Sequence, residues 1–204
     1  MAQIIRVKPG VVTAQDGTYP ELRGGRTGEL LSSDAHGRYQ EAAYRGTLFY
    51  AVNSAAQALS LSGTTTYTGL TVANPTASGK NLALLIAYWA DTIVETGVGA
   101  VILATGTTVA QTAGNSTGPS STLLGSGAAS VAKVGASCTY AANPAFLRPL
   151  IGIPWITATA QAPVFAKDEI AGEIIIPPGQ QVSFLAITTA ITGIGYFSWE
   201  EIPL

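Results

Sequence analysis

The sequence predicts an all-β protein, an antiparallel β-sandwich of jelly-roll type with an extended N-terminal arm. Three observations lead there. Short runs of β-branched and aromatic residues recur through residues 46–204, broken by clusters of Gly, Pro, Asn, Ser and Thr, as strands are broken by turns. Helix signals are few, and no Cys…Trp…Cys spacing favours an immunoglobulin-type sandwich over a jelly roll. Residues 1–45 differ in kind: they hold eleven of the 22 charged residues, several glycines and few aliphatic runs. Such a segment buries too little apolar surface to fold alone. The division expected is therefore an arm over 1–45 and a sandwich domain over 46–204.

The totals limit what the chain does. Of its 204 residues 47% are apolar and only 11% charged, against roughly 25% charged in an ordinary soluble domain. A chain of this kind hides surface in an assembly or covers itself with hydroxyls. The net charge of −2 lacks the basic stripe that nucleic acid requires, so no nucleic-acid partner is expected. The N-terminus shows no apolar h-region, and Leu82 to Ala90 is too short to cross a bilayer. Synthesis in the cytoplasm without a secretory signal, and no membrane partner, are the expectations. Cys138 sits among small and apolar residues and reads as a buried, inert thiol.

In chain order, Arg6, Lys8, Arg23, Arg26, Arg38 and Arg45 give the arm its cations. Guanidinium groups bind carboxylates in a planar, bidentate way, as a protein-docking arm needs. A free tail, or an N-terminal strand paired within the same chain, is the competing reading. A short helical turn over Arg38–Arg45, capped by Ser33 or Asp34, is compatible with the sequence. Thr47 to Val52 reads as a strand, 53–61 as either a short helix or a strand, and Tyr67 to Val72 as a strand. After a turn at 74–79, Leu82 to Trp89 is apolar on both faces, the mark of a central buried strand. A helix of equal length is its rival. Gly97 to Ala104 is the next strand, and 105–127, rich in Gly, Thr, Ser and Asn, reads as a long loop. Strand character returns over 131–140. A turn at 143–149 precedes a strand over 150–159 that Pro154 makes an edge or bulged strand. Residues 163–170 read as a connector into a closing hairpin. Its strands, 173–176 and 182–188, are separated by Pro177-Pro178-Gly179, and a final strand follows at 195–202. In that last run Tyr196, Ser198 and Glu200 share one face, and Phe197, Trp199 and Glu201 the other.

No catalytic constellation emerges. Gly114-Asn-Ser116-Thr-Gly118 has the spacing of a hydrolase nucleophile, but Pro119-Ser-Ser follows where a helix should start. The sole histidine, His36, lies upstream in the arm. Gly79-Lys80 has Asn74 and Asn81 where a phosphate-binding loop needs Gly and Ser or Thr, so a hairpin turn is expected. Asn115-Ser-Thr117 is a glycosylation sequon without a secretory context. One histidine and one cysteine cannot hold zinc. The adjacent carboxylates Asp168-Glu169 and Glu200-Glu201 point to opposite strand faces, which suits solvation or a salt contact with an arm arginine. Calcium at Asp168, Glu169 and Glu173 is the remaining metal alternative. The expectation is no enzyme activity, no metal and no cofactor.

Three stretches together resemble the auxiliary capsid proteins of tailed bacteriophages, the cement or decoration proteins. They are Glu29-Leu-Leu-Ser-Ser-Asp-Ala-His-Gly-Arg-Tyr-Gln-Glu-Ala-Ala-Tyr-Arg-Gly; Leu61-Ser-Gly-Thr-Thr-Thr-Tyr-Thr-Gly-Leu-Thr-Val-Ala-Asn-Pro with Gly79-Lys-Asn-Leu; and Ile-Pro-Pro-Gly with Phe197-Ser-Trp-Glu-Glu-Ile-Pro. The resemblance implies a β-sandwich on the exterior of an icosahedral virion. It would bind the major capsid protein and its own copies, as a homotrimer in preference to a dimer. Ordering an arm costs about 1–2 kcal/mol of backbone entropy per residue, so it fixes only where a partner compensates. Repetition over a lattice then adds avidity. The alternative is a head-fibre or tail-associated module that binds a host glycan through exposed Trp89, Trp155, Trp199 or tyrosines.

Overall fold

The computed structural model describes residues 38–61, 65–93, 97–112, 114, 116–153 and 164–204. The chain divides into two units, 1–40 and 41–204, and the account below concerns the second, with 38–40 taken by themselves. One short helix, α1 (Gln40–Tyr44), precedes eleven strands: β1 (Leu48–Val52), β2 (Gln57–Ala58), β3 (Thr66–Ala73), β4 (Lys80–Asp91), β5 (Gly99–Thr112), β6 (Ser120–Ser121), β7 (Lys133–Tyr140), β8 (Ala145–Ile153), β9 (Phe165–Ile176), β10 (Gln180–Ile187) and β11 (Thr192–Pro203).

These strands form a β-sandwich of two antiparallel sheets. The first runs β6-β1-β11-β4-β9, with β2 also paired to β11. In the second, β10 lies against both β3 and β5, and β8 pairs with β5. The inner faces meet in a core of Phe49, Leu70, Val72, Leu82, Leu84, Trp89, Leu103, Val182, Phe184, Phe197 and Trp199, among others. Phe184 of the second sheet bridges the two layers. Its ring stacks on Phe197 of the first at 4.2 Å and 6°, and lies 5.6 Å from Trp89. Glycine makes that approach possible: a Cβ on Gly195 would stand 2.7 Å from the Phe184 ring, and one on Gly193 only 2.3 Å from the Ala90 carbonyl oxygen.

The second sheet has a further feature. Residues 100–107 of β5 pair with β10, but residues 108–112 pair with β7. Since β7 also pairs with β3, and β3 with β10, four strands close a ring. The ring holds its own small core of Tyr67, Ile102, Ala104, Cys138, Tyr140 and Leu185. Polar groups inside it are bonded to one another. The Gln181 amide oxygen accepts from Thr108 Oγ1 (3.2 Å) and Gln111 Nε2 (2.8 Å), while its nitrogen donates to the Thr139 carbonyl (3.4 Å).

Several expectations need correction. Residues 105–112 are strand rather than loop, because pairing with β10 and β7 and the Gln181 bonds satisfy a stretch rich in threonine. Residues 145–149 belong to β8, not to a turn, and Phe165–Ile170 to β9, not to a connector. The expected closing hairpin does not form: β9 and β11 lie in the first sheet and β10 in the second, so Pro177-Pro178-Gly179 carries the chain across the sandwich. The ambiguous stretch 53–61 contains only the two-residue β2. The expected central strand is present as β4, between β11 and β9, and the turn before it has Gly79 at φ 65°.

Candidate interaction surface

Alternation along each strand turns one side chain inward and the next outward. In β11 the inward set is Phe197, Trp199 and Glu201, all buried, which leaves Tyr196 on the outer face of the first sheet. Cross-strand register extends that face. Tyr196 lies opposite Val52 of β1 and Tyr88 of β4, and Tyr88 opposite Lys167 of β9. One row away, Ser198 lies between Tyr50 and Ile86. In the other direction Ala90 lies between Ile194 and Phe165. Diagonal neighbours in a sheet are within reach of aromatic side chains, and both such pairs form. The Tyr50 and Tyr196 rings are 6.0 Å apart at 23°, and the Tyr88 and Phe165 rings 6.5 Å apart at 29°.

Phe165, Tyr88, Tyr196 and Tyr50 thus make a diagonal band of four rings over four strands, about 14 Å across three strand spacings. Between them stand Val52, Ile86, Ala90 and Ile194, all half-buried. Lys167 and Glu169 pair at 2.6 Å at the β9 rim, and Glu200, which accepts from Thr47 Oγ1 at 3.4 Å, stands one row beyond Ser198 on the same face. The two ends of the band differ. Phe165 is 69% exposed at the β9 end. At the β1 end a groove of about 340 Å³ is lined by Tyr50, Pro119, Ser120, Leu123, Leu124 and their neighbours to Ala128. Leu124 is 84% exposed there. Burial pushes the Tyr196 hydroxyl above its ordinary value, and nearby Tyr50 adds to the effect, against a hydrogen bond from Ser198.

The arm cations are only partly described. Arg6, Lys8, Arg23 and Arg26 lie outside the described residues, as do Ser33, Asp34 and His36. The Arg38 guanidinium sits 5.3 Å from the Tyr39 ring centroid, a cation–π distance. Arg45 pairs with Glu41 at 2.8 Å, both well exposed.

The carboxylates read from sequence have other partners. Asp168 pairs with Arg148 of β8 at 3.1 Å, and Glu173 with the same guanidinium at 2.6 Å. These bonds, that to Glu173 foremost, raise the Arg148 pKa. Arg148 thus makes a cross-sheet clamp between the edge strands β8 and β9. Glu169 turns to Lys167 instead, so the three acids do not converge as a calcium site would require. Glu201 is buried at 1% exposure, where Lys80 (2.8 Å), the Val131 amide (2.9 Å) and Ser130 bond its carboxylate. Sequence reasoning missed this role; its signal was an inward-facing acid in an otherwise apolar row.

Among the described residues no group of His, Cys, Asp and Glu could hold a metal. Ser116 and Thr117 are tied to the end of β1: Ser116 bridges to Asn53, and the Thr117 hydroxyl donates to the Val52 carbonyl at 3.1 Å. Cys138 is buried in the strand ring, and burial pushes its thiol up, against hydrogen bonds with Thr71, Ser183 and Tyr140. A protonated, enclosed thiol is a poor nucleophile. Trp89 and Trp199 are fully buried, and Trp155 lies outside the described residues. No described helix is long and apolar enough to cross a membrane.

No family model, curated protein or solved structure matches the chain.

Proposed function

We propose that this chain is a structural virion protein that decorates and stabilises an icosahedral phage capsid from outside, binding the major capsid protein and its own copies. The observation that carries the proposal is the band of aromatic and aliphatic side chains on the outer face of the first sheet, a surface suited to protein contact. The strand order supports it. Setting aside β2, β6 and β7, the remaining strands divide into the orders β1-β11-β4-β9 and β3-β10-β5-β8. That is the order a double Greek key produces, and we take the sandwich as a jelly roll on that ground. In this reading Arg6, Lys8, Arg23, Arg26, Arg38 and Arg45 dock the arm on coat-protein carboxylates, and the protein has no catalytic role.

Co-sedimentation with purified empty capsids tests the proposal. The full chain is expected to pellet with assembled shells and not with unassembled coat protein, and deletion of residues 1–40 should abolish the binding. A chain that stays in the supernatant overturns the decoration role; undiminished binding after the deletion overturns docking by the arm.

The four-ring band also favours a second reading, a module that stacks a host glycan. Weighing against it, the side chains between the rings are aliphatic, where a sugar needs hydrogen-bonding partners to fix its hydroxyls. Trp89 and Trp199, buried in the core, are not available to it. Absence of any hit on a glycan array removes this alternative.

A further inference from the structure

We infer that the groove at the β1 end of the band binds a short neutral saccharide, held against Tyr50 and the loop over 119–128. The inference goes beyond the decoration role and does not depend on it. It concerns the groove, not the rings from Tyr196 to Phe165.

The lining selects that chemistry. Among the described residues, none that lines the groove is charged, so an ionised ligand would give up water there with no counter-charge in exchange. Hydrogen-bond donors, in contrast, are present and uncommitted. Ser121 Oγ accepts from the Leu123 amide and Ser126 Oγ from the Ala128 amide, each at 3.2 Å, which leaves both hydroxyls a proton to give. Gly125 and Gly127 stand at φ 78° and 66°, and neither amide has an acceptor among the described residues. An apolar ligand would strand these groups, whereas a ligand edged with hydroxyls accepts from them. Tyr50 supplies the other half of sugar recognition, an aromatic surface for the C–H face of a pyranose. Because β1 lies between β11 and β6, the Tyr50 ring has Tyr196 on one side, stacked at 6.0 Å, and the groove on the other. The band lacks this combination, since aliphatic side chains fill the space between its rings.

Size and rigidity agree. The groove, about 340 Å³, lies at the low end of the range for ligand clefts, about 300–1,000 Å³. Its loop is held in place before any ligand arrives. Ser120 and Ser121 pair with Tyr50 and Phe49. The Thr122 amide and hydroxyl both donate to the Leu48 carbonyl, at 3.1 and 3.2 Å, and the Ser126 amide donates to the Leu123 carbonyl at 3.1 Å. A preformed site loses little conformational entropy on binding.

Saturation-transfer NMR on the full chain tests the inference, with the methyl glycosides of glucose, galactose, mannose and N-acetylglucosamine as probes at millimolar concentration. At least one is expected to receive saturation and to shift the Gly125 and Gly127 amide signals of the labelled protein. Ser126→Ala should weaken that binding by about three- to tenfold, the loss of one hydrogen bond. Ser126→Thr keeps the hydroxyl and should retain the binding, which separates a lost contact from a loosened loop. Tyr50→Ala should abolish it, with the far-UV circular dichroism spectrum as the check on folding. Tyr88→Ala and Phe165→Ala, farther along the band, should leave it unchanged. No transfer to any of the four glycosides overturns the inference. Stronger shifts of the same amides with inorganic phosphate or N-acetylneuraminic acid overturn the neutral class. Binding lost in Tyr88→Ala but kept in Ser126→Ala would place the sugar on the band and overturn the site. Capsid co-sedimentation is read separately, so a failure of the decoration role leaves this result standing, and the reverse.

Discussion

Replacing Glu201 by alanine should cost about 3 kcal/mol of stability. The side chain is fully buried, and its carboxylate accepts from the Val131 amide at 2.9 Å, from the Ser130 hydroxyl and from Lys80 Nζ at 2.8 Å. Alanine leaves two neutral donors without a partner, at about 1–3 kcal/mol each. Lys80 keeps 34% of its side chain exposed, so water takes over much of its solvation and its loss of a partner adds less. Relief from burying a charge offsets part of the total, which leaves the figure near 3 kcal/mol. Urea unfolding of the wild type, of Glu201→Ala and of Lys80→Ala, with the m-value held as a control, gives the comparison. Lys80→Ala should cost about 1 kcal/mol, because Val131 and Ser130 still satisfy the acid. A loss below about 1 kcal/mol for Glu201→Ala would refute the reasoning. Equal losses for the two variants would show instead that ion pairing, and not satisfaction of the 130–131 turn, carries the energy.

Three other outcomes are expected. Tyr140 in the strand ring has its pKa raised well above its ordinary 10.0, by burial first and then by Cys138. The neutral phenol is therefore stable when folded, and stability present below pH 10 is lost above it, by up to about 1.4 kcal/mol per pH unit as the unfolded phenol ionises. Tyr140→Phe should flatten that part of a urea-midpoint profile between pH 9 and 11; an unchanged slope counts against it. Gly193→Ala should cost about 2–3 kcal/mol in thermal unfolding, because its Cβ would lie 2.3 Å from a backbone oxygen and 2.6 Å from the Trp89 ring. Thr188 is a β-branched residue at φ 76°, so Thr188→Asn should gain about 1 kcal/mol and raise the melting temperature by about 2–4 °C.

The strands with the strongest apolar pattern were legible in the sequence. The inward row of β11, the doubly apolar β4 and the break at Pro177-Pro178-Gly179 are local features, and periodicity reports them. The second half of β5 was not legible, because Thr107, Thr108 and Gln111 look like loop residues until β7, Gln180 and Gln181 supply their partners. Likewise β9 carries Lys167, Asp168 and Glu169 because it is an edge strand of its sheet, where charges discourage further pairing. Sheet membership was invisible for a third reason. A two-proline break says that the chain turns, not whether it returns to the same sheet. The ring band shows the same limit at the level of function. Tyr50, Tyr88, Phe165 and Tyr196 come from four strands scattered over the chain, and only the register places them on one face. The local signal each one carries is an aromatic residue out of phase with the core row, which no single strand can interpret.

What decides the register, then, is the polar minority. An apolar strand can slip by two residues and still bury the same face, so alternation alone leaves partners undetermined. Here buried polar side chains join segments that lie far apart in sequence. Asn53 takes the Gly195 amide at 2.9 Å and gives to Gln57 at 3.0 Å, which fixes the end of β1 against β11. Asn74 donates to the carbonyls of Lys80 and Ile176 at 2.8 and 2.9 Å, so the start of β4 meets the end of β9. Gln181 and Glu201 do the same for the strand ring and for the loop at 130–131. Each bond is made in one register only, and a slip would strand a buried polar group at a cost of about 1–3 kcal/mol. The same register sets the outer face: a displacement of β4 against β11 would part Tyr88 from Tyr196 and break the band. The polar hubs inside the sandwich thereby determine the aromatic surface outside it.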